Sequence, residues 1–262
     1  MAKILTITNQ KGGVGKTTTS VNLAASLAAM HKRVLLIDLD PQGNATMGSG
    51  VDKHDLGLSV YELLTDQASI SDVTLKNLPV GYDLLGANGD LTAAEVELLS
   101  LSRREFRLKM ALDEIDDQYD FVLIDNPPSL SLLTVNALAS SEGVIIPMQC
   151  EYYALEGISA LVGTIDKIQG RLNPRLKIEG ILRTMFDPRM SLTKDVSEHL
   201  LQHFEDKVYR TVIPRNVRLA EAPSHGLPAI MYDKHSRGAV AYLALAGELV
   251  RRTDQELAQE AS

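Results

Sequence analysis

Cysteine occurs once in the 262 residues, at Cys150, and tryptophan does not occur at all. One cysteine excludes a disulfide framework and a cysteine-built zinc or iron–sulfur site within one chain, and it points to a reducing compartment, the cytoplasm. Aromatic residues make up only 5% of the chain, too few for platforms that stack sugars or bases. No run of ~18 apolar residues is present, so nothing in the sequence is expected to span a membrane. The first apolar run begins at about Lys3, which leaves no room for a signal peptide. Positive charge is also in deficit: 26 Lys and Arg against 34 Asp and Glu give a net charge of -8. Averaged over the chain, that argues against nucleic acid as a partner. The deficit is uneven, however: residues 171–252 hold 14 Lys/Arg and 9 Asp/Glu, and the remainder 12 and 25. An acidic protein therefore has a basic C-terminal third.

What is abundant is apolar strand pattern alternating with helical pattern. ILTIT (4–8), RVLLIDLD (33–40), FVLIDNPP (121–128), GVIIPM (143–148), KIEGILRTMF (177–186) and VYRTVIP (208–214) read as strands, and AVAYLALAGELVRR (239–252) as a closing helix. Strands that are apolar throughout, alternating with helices, predict an α/β fold with a mostly parallel, twisted sheet covered by helices on both faces. No linker or repeat interrupts the pattern, so one domain over 1–262 is expected, with an irregular tail at 253–262. The stretch 41–110 is rich in polar turns and is the least legible. Ligands of such sheets bind at the carboxyl ends of the strands.

The segment NQKGGVGKTTTS (9–20) lies where the first strand should hand over to a helix. It approaches the phosphate-loop pattern of Gly, four residues, then Gly-Lys-Ser/Thr, but Gln10 occupies the first glycine position. Backbone N–H groups from Gly12, Gly13, Val14 and Gly15 through Thr18 would close around phosphate, aided by the helix N-terminus. Lys16 would sit on the β- and γ-phosphates, and the Thr17 hydroxyl would bind Mg²⁺. Asp38 and Asp40 end one strand two residues apart, a spacing that puts both carboxylates on one face. Asp125 ends another strand, where phosphate-loop enzymes carry a metal-side carboxylate. Mg²⁺ prefers one or two carboxylates with phosphate oxygens and water. A simple phosphate loop leaves Lys11 without a role.

The motifs KGGVGKTTT, LLIDLDPQGNAT, FVLIDNPPSL, PMQCEYYALEG and IPRNVRLAEAPSHG, spread from residue 4 to about 230, together resemble the ParA/Soj partitioning ATPases. These belong to the deviant phosphate-loop NTPase class that also contains MinD. The resemblance implies ATP and Mg²⁺ as cofactors, and weak hydrolysis stimulated by a ParB-type centromere-binding partner. It implies an ATP-sandwich homodimer in which Lys11 reaches the nucleotide of the other subunit. That dimer would bind nucleoid DNA without sequence preference and so segregate chromosome origins or plasmids. Asp40 is implied to position the attacking water and, with Thr17 and Asp125, to serve the metal site. Pro214 and Asn216 are implied near adenine, and Arg189 and Arg218 on DNA, with Lys234, Arg237, Arg251 and Arg252 extending the patch. Asn126 departs from the cysteine common in relatives. No N-terminal helix-turn-helix extension is present, so operator-specific repression is not expected. A MinD-like membrane-positioning ATPase is the alternative, but it needs a basic amphipathic end, and this chain finishes TDQELAQEAS. A cluster-carrying protein lacks its cysteines, and an ATP-dependent ligase leaves Lys11 unexplained. His199 and His203, four apart on an expected helix, read as a solvated face, and Cys150 as a small core residue.

Overall fold

VLLID (34–38) and FVLID (121–125) are buried at every position, as strands covered on both faces must be. The computed structural model describes residues 2–115 and 117–260. Among them eight strands form one sheet: β1 (Lys3–Ile7), β2 (Val34–Asp38), β3 (Thr74–Leu75), β4 (Asp83–Leu85), β5 (Phe121–Asp125), β6 (Gly143–Gln149), β7 (Lys177–Phe186) and β8 (Val208–Pro214). Their order is β3-β4-β2-β5-β1-β6-β7-β8. Every neighbouring pair is parallel except β3 with β4. The sheet class and the mainly parallel pairing are those the apolar runs predict. β2 is shorter than expected, ending at Asp38, although the Leu39 N–H still donates to the Asp125 carbonyl of β5 at 2.9 Å.

α1 (Lys16–Ala29) follows β1, and the poorly legible stretch folds as short helices: α2 (Asn44–Gly48), α3 (Val60–Leu64), α4 (Ile70–Val73), α5 (Leu91–Glu97) and α6 (Arg107–Leu112). Two of these start at capping boxes, Ser59 with Glu62 and Ser69 with Asp72, which satisfy orphan N–H groups where the apolar period is too short to announce a helix. Longer helices follow in α7 (Leu132–Ser140), α8 (Ala154–Arg171) and α9 (Ser191–Phe204), then the short α10 (Val217–Glu221) and α11 (Ala229–Tyr232), and finally α12 (Arg237–Glu260).

Strand alternation divides the core. Leu5, Ile7, Leu36, Leu123 and Leu182 pack with α1 and α12 on one face. Leu35, Ile37, Val122 and Ile124 pack under α3, α6 and α7 on the other. Val144, Ile146 and Ile181 meet α8 and α9 in a third cluster that includes Cys150.

α12 does not stop at 252. Residues 253–260 of the expected irregular tail continue it, while 261–262 lie outside the described residues. Glu256 supplies the reason, accepting Lys3 at 2.7 Å and Lys177 at 2.8 Å. The same helix protects the exposed edge of β8. The Glu248 carboxylate accepts the backbone N–H groups of Arg210 (2.8 Å) and Thr211 (2.9 Å), and Arg252 donates to Val208 O at 3.0 Å. An edge strand whose donors are already taken is a poor template for pairing with another chain.

Burial alone would raise the Glu248 carboxyl, but hydrogen bonds from Thr211 and Arg210 and the charge of Arg252 hold it below its ordinary value. Glu248→Ala should lower unfolding free energy by about 1–3 kcal/mol in urea titration, since two strand N–H groups lose their acceptor. A depressed value in the folded state is a stabilisation lost as pH falls through the carboxylate range. The gap between variant and wild type should therefore narrow in acid.

Candidate functional site

Parallel strands deliver all their carboxyl ends to one edge, and β1, β5 and β2 lie together at the middle of this sheet. The loop after β1 is fastened first. Asn9 donates to Pro147 O at 2.8 Å and accepts the Lys11 N–H at 3.0 Å. Val14 is buried, and its carbonyl accepts the Thr184 hydroxyl of β7 at 2.8 Å. Gly13 and Gly15 have φ of +73° and +89°, a region that favours glycine. A side chain at Gly12 or Gly13 would meet nothing within 4 Å. Packing therefore does not demand glycine at Gly12, whereas close approach of a ligand to the backbone does. α1 starts at Lys16 with no side-chain cap, so its first N–H groups point at an open edge.

Lys16 is buried, its amine donating to the Lys11 carbonyl at 3.2 Å. Burial pushes that amine down from its ordinary value, against the opposing pull of Asp125 and Asp40. A phosphate would relieve the same desolvation. Asp125 is fully buried and accepts the hydroxyls of Thr17 and Ser20, each at 2.8 Å. It stands directly opposite Asp38 in the β2–β5 register. Burial first, then the charge of Asp38, pushes the Asp125 carboxyl well above the usual range.

β2 ends at Asp38, so Asp40 lies beyond the strand, in the turn that follows it. Asp38 is wholly buried and structural: it accepts the Asp40 N–H at 3.1 Å and both the N–H and hydroxyl of Thr46 at 2.8 Å. It thereby fixes the turn into α2. That turn presents Asp40, which accepts the Gln42 N–H at 2.9 Å and lies within electrostatic reach of Lys16 and Asp125. Among the described residues no three acidic, His or Cys side chains converge on a point. A divalent ion here must therefore draw most of its ligands from phosphate and water. The pairing of Thr17 with Asp125 suits Mg²⁺ held that way. Asn126 occupies no ligand position; its amide donates to Thr6 Oγ1 at 3.1 Å and to the Ile7 carbonyl at 3.3 Å, clamping β5 to β1.

Lys11, Pro214, Asn216, Arg189 and Arg218 lie at or just after the carboxyl ends of β1, β7 and β8, along the same edge, whereas His203 and Arg252 lie toward the opposite, amino end of β8, so Arg252 does not extend a patch around Arg218. Lys11 leaves the loop outward and pairs with Glu151 at 2.5 Å, both side chains being about half exposed. Pro214 ends β8, three strands from β1. Asn216 caps α10 by accepting the Arg218 N–H at 3.1 Å, which leaves its amide nitrogen for another partner. Arg189 is held by Asp187 through contacts of 2.9 and 2.7 Å, and Arg218 by Glu221 at 2.7 Å and Asp233 at 3.4 Å. His203 bonds the His199 carbonyl at 2.7 Å, a contact within its own helix. Thr184, Ser20 and Glu151 carry no local signal in the sequence, because each acts on a residue 105 or more positions away, and Thr46 looks like an ordinary helix residue until Asp38 is seen to accept its N–H and hydroxyl.

One contact joins the two ends of this edge. Gly50, just past α2, abuts Gly226, just past the Arg218 segment; a Cβ on Gly226 would lie 2.9 Å from Gly50 Cα. No side chain fits there without moving one segment. A groove of about 1210 Å³ lined by β8, α9 and α12 lies away from the phosphate loop, and it is where Glu248 and Arg252 seal the sheet edge.

The sequence profile of the AAA-domain family matches residues 2–178. The chain is 55% identical over 249 residues to the sporulation initiation inhibitor protein Soj of Bacillus subtilis, covering 95% of this chain and 98% of that one. It is 47% identical over 261 residues to the chromosome partitioning protein ParA of Caulobacter vibrioides, covering 99% and 98%. A structure of cobyrinic acid a,c-diamide synthase from Mycobacterium smegmatis, with bound ATP analogue and magnesium, matches with a TM-score of 0.85 at 38% identity, covering 97% and 96%.

The raised Asp125 carboxyl gives the site a pH signature. Protonated Asp125 donates to no metal, and a divalent cation favours its ionised form, so loading with Mg²⁺ and nucleotide should release a proton near neutral pH. Calorimetry in buffers of different ionisation enthalpy should show that release shrinking as pH rises past the Asp125 value and disappearing in Asp125→Asn.

Proposed function

The chain belongs to the ParA/Soj family of partitioning ATPases, with ATP and Mg²⁺ as its cofactors, and from that premise we propose that it is a nucleotide-gated DNA-partitioning switch. In this reading two ATP-bound copies face each other as a sandwich. The pair binds nucleoid DNA without sequence preference, and a ParB-type partner stimulates hydrolysis and release. The protein works in the cytoplasm on the nucleoid and segregates chromosome origins or plasmids.

The observation that carries the proposal is the division of labour between two lysines. Lys16 is buried and turned inward, while Lys11, five residues earlier, has its backbone fixed and its amine outside, on the exposed rim. A cation held outside the loop that cradles a nucleotide is placed to meet charge arriving from outside. A second copy presenting its own triphosphate supplies that charge, much as an arginine finger is supplied in trans. Mg²⁺ and the triphosphate bring the bond to be hydrolysed and the charge that must be stabilised. Lys16 and the loop N–H groups hold the phosphates, Thr17 and Asp125 hold the metal side, and Asp40 orients the attacking water from the turn that Asp38 fixes. Pro214 and Asn216 flank the adenine.

DNA binding rests on the basic C-terminal third. Arg218 and Arg189 are both exposed, and each starts paired to carboxylates, so phosphate must win an exchange rather than meet a bare charge. A patch of this kind binds weakly as a single copy. Pairing two patches makes the second engagement intramolecular and raises affinity by orders of magnitude without a new contact.

DNA binding measured with ATP, ADP and no nucleotide tests the switch. Wild type should bind with ATP alone. Lys11→Ala should bind ATP yet remain monomeric by sedimentation and leave DNA free. Asp40→Ala should dimerise and stay on DNA while its hydrolysis falls ~10²–10⁴-fold. DNA binding by a monomeric Lys11→Ala protein would overturn the reading.

Salt titration of the ATP-bound form tests the surface. Each phosphate engaged adds roughly 0.9 to the magnitude of the slope of log affinity against log salt. Arg218→Ala should weaken binding alike on all sequences and flatten the slope by about one unit for each phosphate it no longer engages. An unchanged slope and affinity in both Arg218→Ala and Arg189→Ala would place the DNA surface elsewhere.

A further inference from the structure

Lys11 is pinned at its backbone and held at its tip. Its N–H donates to Asn9 and its carbonyl accepts the Lys16 amine, so in the single chain both main-chain groups are engaged. The side chain, about half exposed, is the part most free to change partner. In the single chain that partner is Glu151, which follows β6 and lies 140 residues away in sequence. The two residues after it, Tyr152 and Tyr153, are 74% and 71% exposed, their rings edge to face with centroids 5.0 Å apart. Two exposed tyrosine rings bounded by an exposed charged pair, on the rim of the nucleotide edge, suit a partner surface, which is enriched in Tyr and polar at its rim.

We infer that Glu151 is a positioning residue for Lys11, holding it in the single chain until a second copy presents a triphosphate that displaces the carboxylate. The inference rests on the dimer reading above and names its regulation. An unbroken Lys11–Glu151 pair carried into a closed interface would be desolvated without compensation. A triphosphate removes that penalty by taking the lysine, because it offers more charge and more acceptor oxygens than one carboxylate. The exposed pair is weak enough to be exchanged. Pairs of this kind weigh up to about fivefold in an equilibrium, and a symmetric dimer breaks two, so the restraint on dimerisation amounts to at most about 25-fold.

The test is sedimentation of wild type, Glu151→Gln, Glu151→Asp, Lys11→Ala and Lys11→Ala/Glu151→Gln over a range of protein concentrations with Mg²⁺ and AMPPNP. Thermal melts of each variant establish that it is folded. Glu151→Gln should dimerise at several-fold lower concentration than wild type, up to about 25-fold. Glu151→Asp, which keeps the charge, should stay close to wild type. The gain should vanish in the Lys11→Ala background. Weaker dimerisation in Glu151→Gln would mean that Glu151 works across the interface, and an unchanged midpoint would mean that the pair restrains nothing; either result overturns the inference. Wild-type dimerisation by Lys11→Ala would instead bring down the dimer reading itself, so the two failures are distinct.

Discussion

Two buried carboxylates, Asp38 and Asp125, stand side by side in register at the carboxyl ends of β2 and β5, and the surrounding structure is arranged to hold that charge. Burial disfavours the charge on each, and a neighbouring carboxylate adds repulsion, Asp40 for Asp38 and Asp38 for Asp125, so both carboxyls are pushed above their ordinary range. The chain answers with donors: Thr46 and the Asp40 N–H for one, Thr17 and Ser20 for the other. Those donors sit at the start of α1, in α2 and in the turn before it, so satisfying the pair also fixes the phosphate loop and the Asp40 turn. Lys16, the cation within electrostatic reach of Asp125, is itself buried. A metal and a polyphosphate complete this balance better than protein groups alone.

Outside that centre, charges are paired but replaceable. Lys11, Arg189 and Arg218 each rest against a carboxylate of the same chain at half-exposed or fully exposed positions. Exposed pairs contribute little to stability, so they are easily exchanged for phosphate. This division is what the proposed switch needs, one ligand held firmly and another released. The rigid part is buried and hydrogen-bonded internally, while the exposed part keeps its charge available at small cost.

The C-terminal third is tied to the nucleotide edge at several points. Tyr242 of α12 shares a hydrogen bond with Thr19 of α1 at 3.1 Å. The side-chain carbonyl of Asn22 in α1 accepts the Ala229 N–H at 2.7 Å. Gly50 abuts Gly226. The segments that follow Arg218 are thus packed against the helix that starts at Lys16 and against the end of α2.

The sequence by itself determined the sheet class, the phosphate loop and the carboxylate at the end of β5, because each is written in adjacent residues. Apolar runs flanked by helical patterns leave few alternatives to a covered parallel sheet, and Gly-Lys-Thr after a strand has few other uses. It also marked Lys11 as surplus to a simple loop, and the ParA/Soj motifs named the family. The tertiary structure decided the rest. It ended β2 at Asp38, which made that residue a fastener and left Asp40 to face the site, and it made Asn216 a helix cap. It continued α12 to Glu260 because Lys3 and Lys177 reach Glu256. It also set Glu151 against Lys11 and Thr184 against the loop. These contacts join residues far apart in the chain, and they depend on a strand order, β3-β4-β2-β5-β1-β6-β7-β8, that no local run of residues encodes.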